Sequence, residues 1–219
     1  MPGGNDRPRL SFDLDGVLAR PLLGWNPTID RDLQLQPLAD AAPPRAGSSP
    51  TPLDRALIQS YYRLRYIGRP PRPAARAAVE AAARRFSVLV LSARNWRGRA
   101  ATEGWLHRHG ILSLLDAVVL NDTGLPAAQF KRQTVERLGI VRHVDDDAAT
   151  AALLARGGVV VDLIDWPRNR GLTVPPGVTR RADLRALIAA LDSAIDVPDL
   201  SSTRGAEPSD RAGNDTIGR

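Results

Sequence analysis

The sequence contains no cysteine. Disulfides, thiolate catalysis and zinc–cysteine centres are thereby excluded. Lysine is almost absent: of 30 basic residues only Lys131 is a lysine, and the rest are arginines. Aromatic residues make up 5% of the chain. No apolar run approaches the roughly eighteen residues that a membrane-spanning helix needs. The first residues, MPGGNDRPR, have no apolar stretch of the signal-peptide kind. No P-loop and no internal repeat is visible. These absences set the expectation of a cytoplasmic protein without a membrane partner. The 219 residues suffice for one ordinary domain and an insertion. The net charge of +6 comes from arginines spread along the whole chain. A nucleic-acid partner is therefore weakly supported, because no compact basic stripe forms. In a chain that uses arginine wherever a surface cation suffices, a single lysine marks a place for a compact ammonium.

The stretch LSFDLDGVL at 10–18 is the most informative. A short apolar run ends in Asp13 and Asp15, which share one side of an extended chain. Gly16 then permits a sharp turn. Two such carboxylates suit a hard divalent cation, or a nucleophile paired with a general acid/base.

Farther along, apolar runs predict strands at 87–91, 117–120, 141–144 and 159–164. Helical patterns lie at about 73–85, 97–110, 129–138, 148–156 and 180–192. This alternation predicts an α/β fold, a parallel sheet with helices on both faces. Residues 9–19 and 74–193 are expected to form this Rossmann-like core. Residues 1–8 read as a flexible lead-in, and 194–219, poor in apolar residues, as a disordered tail. Residues 20–73 differ in character. They are rich in Pro, Arg and Gln and include a helical pattern at 53–67.

In an open parallel sheet, ligands bind beyond the carboxyl ends of the strands. Ser92 follows the second strand, Asp145, Asp146 and Asp147 follow the fourth, and Lys131 lies near a helix start. Carboxylates can hold a divalent metal. Metal, ammonium and hydroxyl together can hold a phosphate, leaving one aspartate to attack phosphorus.

DLDGV at 13–17, VLVLSAR with Ser92, FKRQ with Lys131 and HVDDD with Asp145–Asp147 resemble, in order and spacing, the four motifs of the haloacid dehalogenase (HAD) superfamily. The resemblance covers roughly residues 9–166. It implies a Mg2+-dependent phosphomonoester hydrolase with Asp13 as nucleophile and Asp15 as general acid/base. Asp15 would also offer its main-chain carbonyl to the metal. Ser92 and Lys131 would bind the substrate phosphate. Asp146 is the first choice for a further metal ligand, Asp145 the next, and Asp147 suits the start of the following helix. The insertion at 20–73 resembles a small helical cap, carrying Trp25, Tyr61, Tyr62 and Tyr66. DWPRNR at 165–170 resembles a turn of the 5'-nucleotidase and deoxyribonucleotidase group, implying a nucleoside monophosphate substrate. LSAR, TEGWLHRHGI, FKRQ and VDDD also resemble a polynucleotide 3'-phosphatase module, and a silent, ligand-binding relative is a third reading.

Overall fold

The computed structural model of the chain describes residues 7–20, 60, 69–167 and 169–193. The expected cap with its aromatics Trp25, Tyr61, Tyr62 and Tyr66 lies mostly outside the described residues, as does the expected tail.

Six strands form one sheet: β1 (Arg9–Phe12), β2 (Ser87–Asn95), β3 (Ala117–Asn121), β4 (Ile140–Asp145), β5 (Val160–Ile164) and β6 (Val178–Arg181). Their order is β3-β2-β1-β4-β5-β6, and every neighbouring pair is parallel. The intervening helices are α1 (Ala75–Ala83), α2 (Arg99–Arg108), α3 (Ala127–Leu138), α4 (Ala148–Arg156) and α5 (Leu184–Ser193). None of the described helices is long and apolar enough to cross a membrane.

Side chains alternate across each strand, so the sheet divides its apolar residues between two cores. Leu10, Phe12, Val88, Val90 and Val144 pack with residues of α1, α2 and α5 on one face. Leu91, Ile140, Val161 and Leu163 pack with Phe130 of α3 and Leu154 of α4 on the other. The fold is thus the expected α/β sheet covered on both faces.

Three details depart from expectation. β2 continues beyond residue 91 to Asn95, with a register shift between Ser92 and Asn95. Its last residues are polar, and apolar patterning does not mark them as strand. β6 was not expected, because its sequence VTRR carries one apolar residue; its arginines belong to a sheet edge. The last helix accordingly starts at Leu184. Finally, α1 begins at Ala75 rather than Pro73, after a left-handed turn at Ala74, φ 64°.

From β1 the chain builds outward to β2 and β3, then returns to the opposite side of β1 with β4. This reversal opens a crevice at the carboxyl ends of β1 and β4, where sheets of this kind bind ligands.

Candidate active site

Asp13 leaves the end of β1 and donates its N–H to the Val144 carbonyl at 2.9 Å, which keeps it beside β4. The chain then turns tightly. Gly16 N–H reaches the Ala19 carbonyl, and the N–H groups of Leu18 and Ala19 both reach the Leu14 carbonyl. Gly16 has φ 91°, and a Cβ there would lie 2.0 Å from Asp146 Oδ2. Glycine is therefore required twice, by backbone conformation and by the close approach of Asp146. After the turn, Ala19 bridges to Pro71. Arg20 N–H donates to the Pro70 carbonyl and Arg72 N–H to the Leu18 carbonyl. These pairs clamp the two ends of the insertion into a stem.

Lys131 is buried in α3 and holds two acids. Its Nζ donates to Asp145 Oδ2 at 2.9 Å and lies 3.3 Å from Asp13 Oδ1. Asp145 also accepts from His143 Nε2 at 3.0 Å, and from the N–H groups of Asp146 and Asp147 at 2.8 and 3.0 Å. Since Asp145 can only accept, His143 Nε2 carries the proton, and Nδ1 receives the Ser11 hydroxyl at 2.7 Å. Ser11 and His143 face each other in the β1–β4 register. A buried polar chain thus runs from Ser11 through His143, Asp145 and Lys131 back to Asp13.

The ionisation of these groups follows from their surroundings. Burial pushes the Asp13 carboxyl well above the usual range; Lys131 opposes this, and Asp145, Asp146 and Asp15 add to it. Burial also disfavours charge on Asp145, but Lys131 and His143 outweigh it and hold this carboxyl well below the usual range. Burial disfavours the Lys131 ammonium, yet Asp13 and Asp145 raise it above its ordinary value. Burial lowers His143 and keeps the ring neutral.

Asp15 has different partners. Arg94 grips both its oxygens, Nε to Oδ2 at 2.6 Å and Nη2 to Oδ1 at 2.7 Å. Arg69 adds Nη1 to Oδ1 at 2.7 Å. All three side chains are almost fully buried. Thr102 accepts from Arg94, and the Arg69 carbonyl accepts from Trp105 Nε1, so α2 anchors the Arg94 guanidinium and the Arg69 main chain.

Of the residues singled out from sequence, the structure brings Asp13, Lys131, Asp145 and Asp146 together. Ser92 is buried on adjacent β2, where its hydroxyl accepts the Arg94 N–H at 3.4 Å. Asp147 caps α4 through the Thr150 N–H, as its position at a helix start implies. Four residues were missed. Arg94 stands two residues after Ser92, and His143 two before Asp145; strand alternation carried that signal. Asn169 donates to the carbonyls of Asp146 and Ile164, tying the DWPRNR turn to the acid cluster. Arg69 had no local signal, since the stem delivers it from 54 residues away. His107 is exposed, and His109 packs on Trp105, centroids 4.5 Å apart.

Oxygens of Asp13, Asp145 and Asp146 lie within 4.8 Å of one another. This all-oxygen set fits a hard divalent cation. Asp145 already accepts four hydrogen bonds, so Asp13 and Asp146 are the better donors to an ion.

No protein-family model matches the chain, and no curated protein matches it. Solved structures do. YfnB of Bacillus subtilis, described as a HAD-hydrolase and solved with magnesium, superposes with a TM-score of 0.55 at 14% identity, covering 85% of this chain and 99% of its own. A defluorinating L-2-haloacid dehalogenase gives 0.55 at 16% identity, covering 85% and 96%. A Thermotoga maritima protein described as a beta-phosphoglucomutase gives 0.53 at 15%, covering 86% and 100%. The chain therefore carries the α/β fold of haloacid dehalogenase-superfamily hydrolases.

Proposed function

We propose that the protein is a Mg2+-dependent phosphomonoester hydrolase working through an aspartyl-phosphate, with a nucleoside monophosphate as substrate. The observation that carries this reading is Lys131 seated between Asp13 and Asp145, with Asp146 alongside, at the crevice between β1 and β4. Asp13 and Asp146 would hold the ion, with the Asp15 carbonyl as a further ligand. Bound there, Mg2+ would neutralise the three nearby carboxylates and the charge developing on phosphate. The Asp13 carboxylate attacks phosphorus in line, and the bond to the ester oxygen breaks. Asp15 gives that oxygen a proton. Asp15 then takes a proton from water, whose oxygen attacks phosphorus and releases Asp13 and inorganic phosphate. Lys131 orients Asp13, and Lys131 and Ser92 bind phosphoryl oxygens.

The double guanidinium grip makes Asp15 a carboxylate in the free protein, which suits the base step. For the acid step, Arg69 or Arg94 must exchange Asp15 for another acceptor, and an oxygen of the bound substrate is the natural one. The nucleotide assignment is supported by the DWPRNR turn, which meets the acid cluster through Asn169. The test is phosphate release with Mg2+ across nucleoside 5'- and 3'-monophosphates, a 3'-phosphorylated oligonucleotide and sugar phosphates, with Asp13→Asn as control. Preference for mononucleotides is expected. Preference for the oligonucleotide would replace the nucleotide reading with end processing, and turnover surviving in Asp13→Asn would sink the mechanism.

A further inference from the structure

Three nitrogens near the site are buried and have no hydrogen-bond partner among the described residues: Arg72 Nε, Arg72 Nη2 and Trp166 Nε1. They belong to one stacked pair, with the Arg72 guanidinium 5.3 Å from the Trp166 ring centroid. Buried donors in folded proteins are almost always paired, so three in one place call for an acceptor that the described residues do not supply. All three can only donate. The missing group is therefore rich in acceptors, and a cation is ruled out.

The surroundings give the sign of its charge. A cavity of about 300 Å³ lies between the insertion stem and the start of α5, lined by Arg20, Arg72, Pro73, Asp183, Leu184 and Arg185. Three guanidiniums and one carboxylate border it. One oxygen of that carboxylate, Asp183 Oδ1, caps the following helix by accepting the N–H groups of Arg185 and Ala186 at 2.9 Å each, so the guanidiniums outnumber the acid three to one. Burial lowers the basicity of Arg72; Asp146 opposes this, Arg20 adds to it, and Asp183 opposes it more weakly. A partly desolvated guanidinium at a cavity wall is an arrangement that recognises an oxyanion.

We propose that Arg72, at the wall of this cavity with Trp166 packed against its guanidinium, forms a second oxyanion site, separate from the Lys131 pocket, that takes a phosphate, sulfate or carboxylate group. The cavity has room for the anionic group together with a small organic body. Two sources share this chemistry: a second anionic group on the substrate, or a separate anion.

The test titrates inorganic sulfate into the full chain in EDTA, followed by calorimetry. Binding of about one equivalent is expected. Arg72→Gln should weaken it at least tenfold and Trp166→Phe, which removes one N–H and keeps the ring, several-fold. Ser92→Ala should leave it unchanged. Absence of saturable binding, binding equal in wild type and both variants, or loss in Ser92→Ala would overturn the site. Trp166→Phe keeps the test decisive where Arg72→Gln does not fold. A second arm uses Mg2+ and substrates with one or two anionic groups. Sulfate competition confined to doubly anionic substrates, with KM raised for them alone in Arg72→Gln, assigns the site to the substrate. Sulfate binding without competition assigns it to a separate anion. Only this second arm rests on the phosphatase reading, so failure of either proposal is recognisable apart from the other.

Discussion

Asp13 and Asp15 are the same residue type, two positions apart at one strand end, yet their surroundings are opposite in kind. Asp13 shares a single ammonium with Asp145 and stands among further acids, so it is under-neutralised and its carboxyl is hard to ionise. Asp15 is gripped by two guanidiniums. The ammonium is a compact point charge that can serve two carboxylates and still leave room for an incoming group. The guanidinium is a planar fork that fills both oxygens of one carboxylate. The chain's one lysine stands where two acids share a charge, and arginines stand where one acid is gripped. The local charge balance, and not the residue type, separates an under-neutralised acid from a firmly paired one.

That contrast can be broken by mutation. The largest effect is expected from Asp13→Asn, which should lower turnover on the order of 10⁴-fold or more, with the circular dichroism spectrum unchanged. Asp15→Asn should be impaired too, and turnover equal to wild type would show that the clamped acid has no proton role. Next comes stability. Asp145→Asn strips Lys131 of a buried partner and should cost about 3–5 kcal/mol in urea denaturation. Lys131→Met should cost as much. Arg94→Gln is expected to cost less, about 1–3 kcal/mol, because Arg69 still holds Asp15. Equal losses for Lys131→Met and Arg94→Gln would mean that the two environments do not differ as described.

The smallest effect concerns pH. The carboxyl of Asp13 is raised in the folded chain, so the folded state binds its proton more tightly than the unfolded state does. Stability from this group is complete below the ordinary carboxylate range and declines as pH rises from about 4 toward the raised value. Asp145 is lowered, so its contribution is present above the ordinary range and is lost only as pH falls below it. Melting temperatures in EDTA should therefore fall with rising pH in wild type. The slope should be shallower in Asp13→Asn, and Mg2+ should reduce it in wild type. A wild-type slope matching that of Asp13→Asn would remove the basis for the contrast.

Much of this was legible in the sequence. The alternation of apolar runs and helices announced the sheet, and DLDG, Lys131 and the triple aspartate announced the acid cluster, because strand ends in such a sheet converge on one edge. The three adjacent acids were harder. Sequence spacing left Asp145 and Asp146 in competition, and backbone N–H groups distinguish them: they fill Asp145 and leave Asp146 beside Gly16. The polar end of β2 and the arginine-rich β6 carried no apolar period, so neither was predicted. Arg69 and Arg72 were invisible for another reason. Their importance comes from a pairing between residues 18–20 and 70–72, and nothing local in an Arg-Pro stretch foretells its partner.

The same pairing has a consequence for how the protein could change over generations. The two segments of the chain that lead into the insertion are zipped together before they depart, so among the described residues the insertion joins the core through a closed neck. Closing a longer or shorter loop on such a neck changes the chain entropy slowly, by about 0.6 kcal/mol for each doubling in length. Segments of unrelated sequence and size could be exchanged at this neck while β1, its turn and the acids stay in register, which makes the position a socket at which the insertion can vary independently of the sheet.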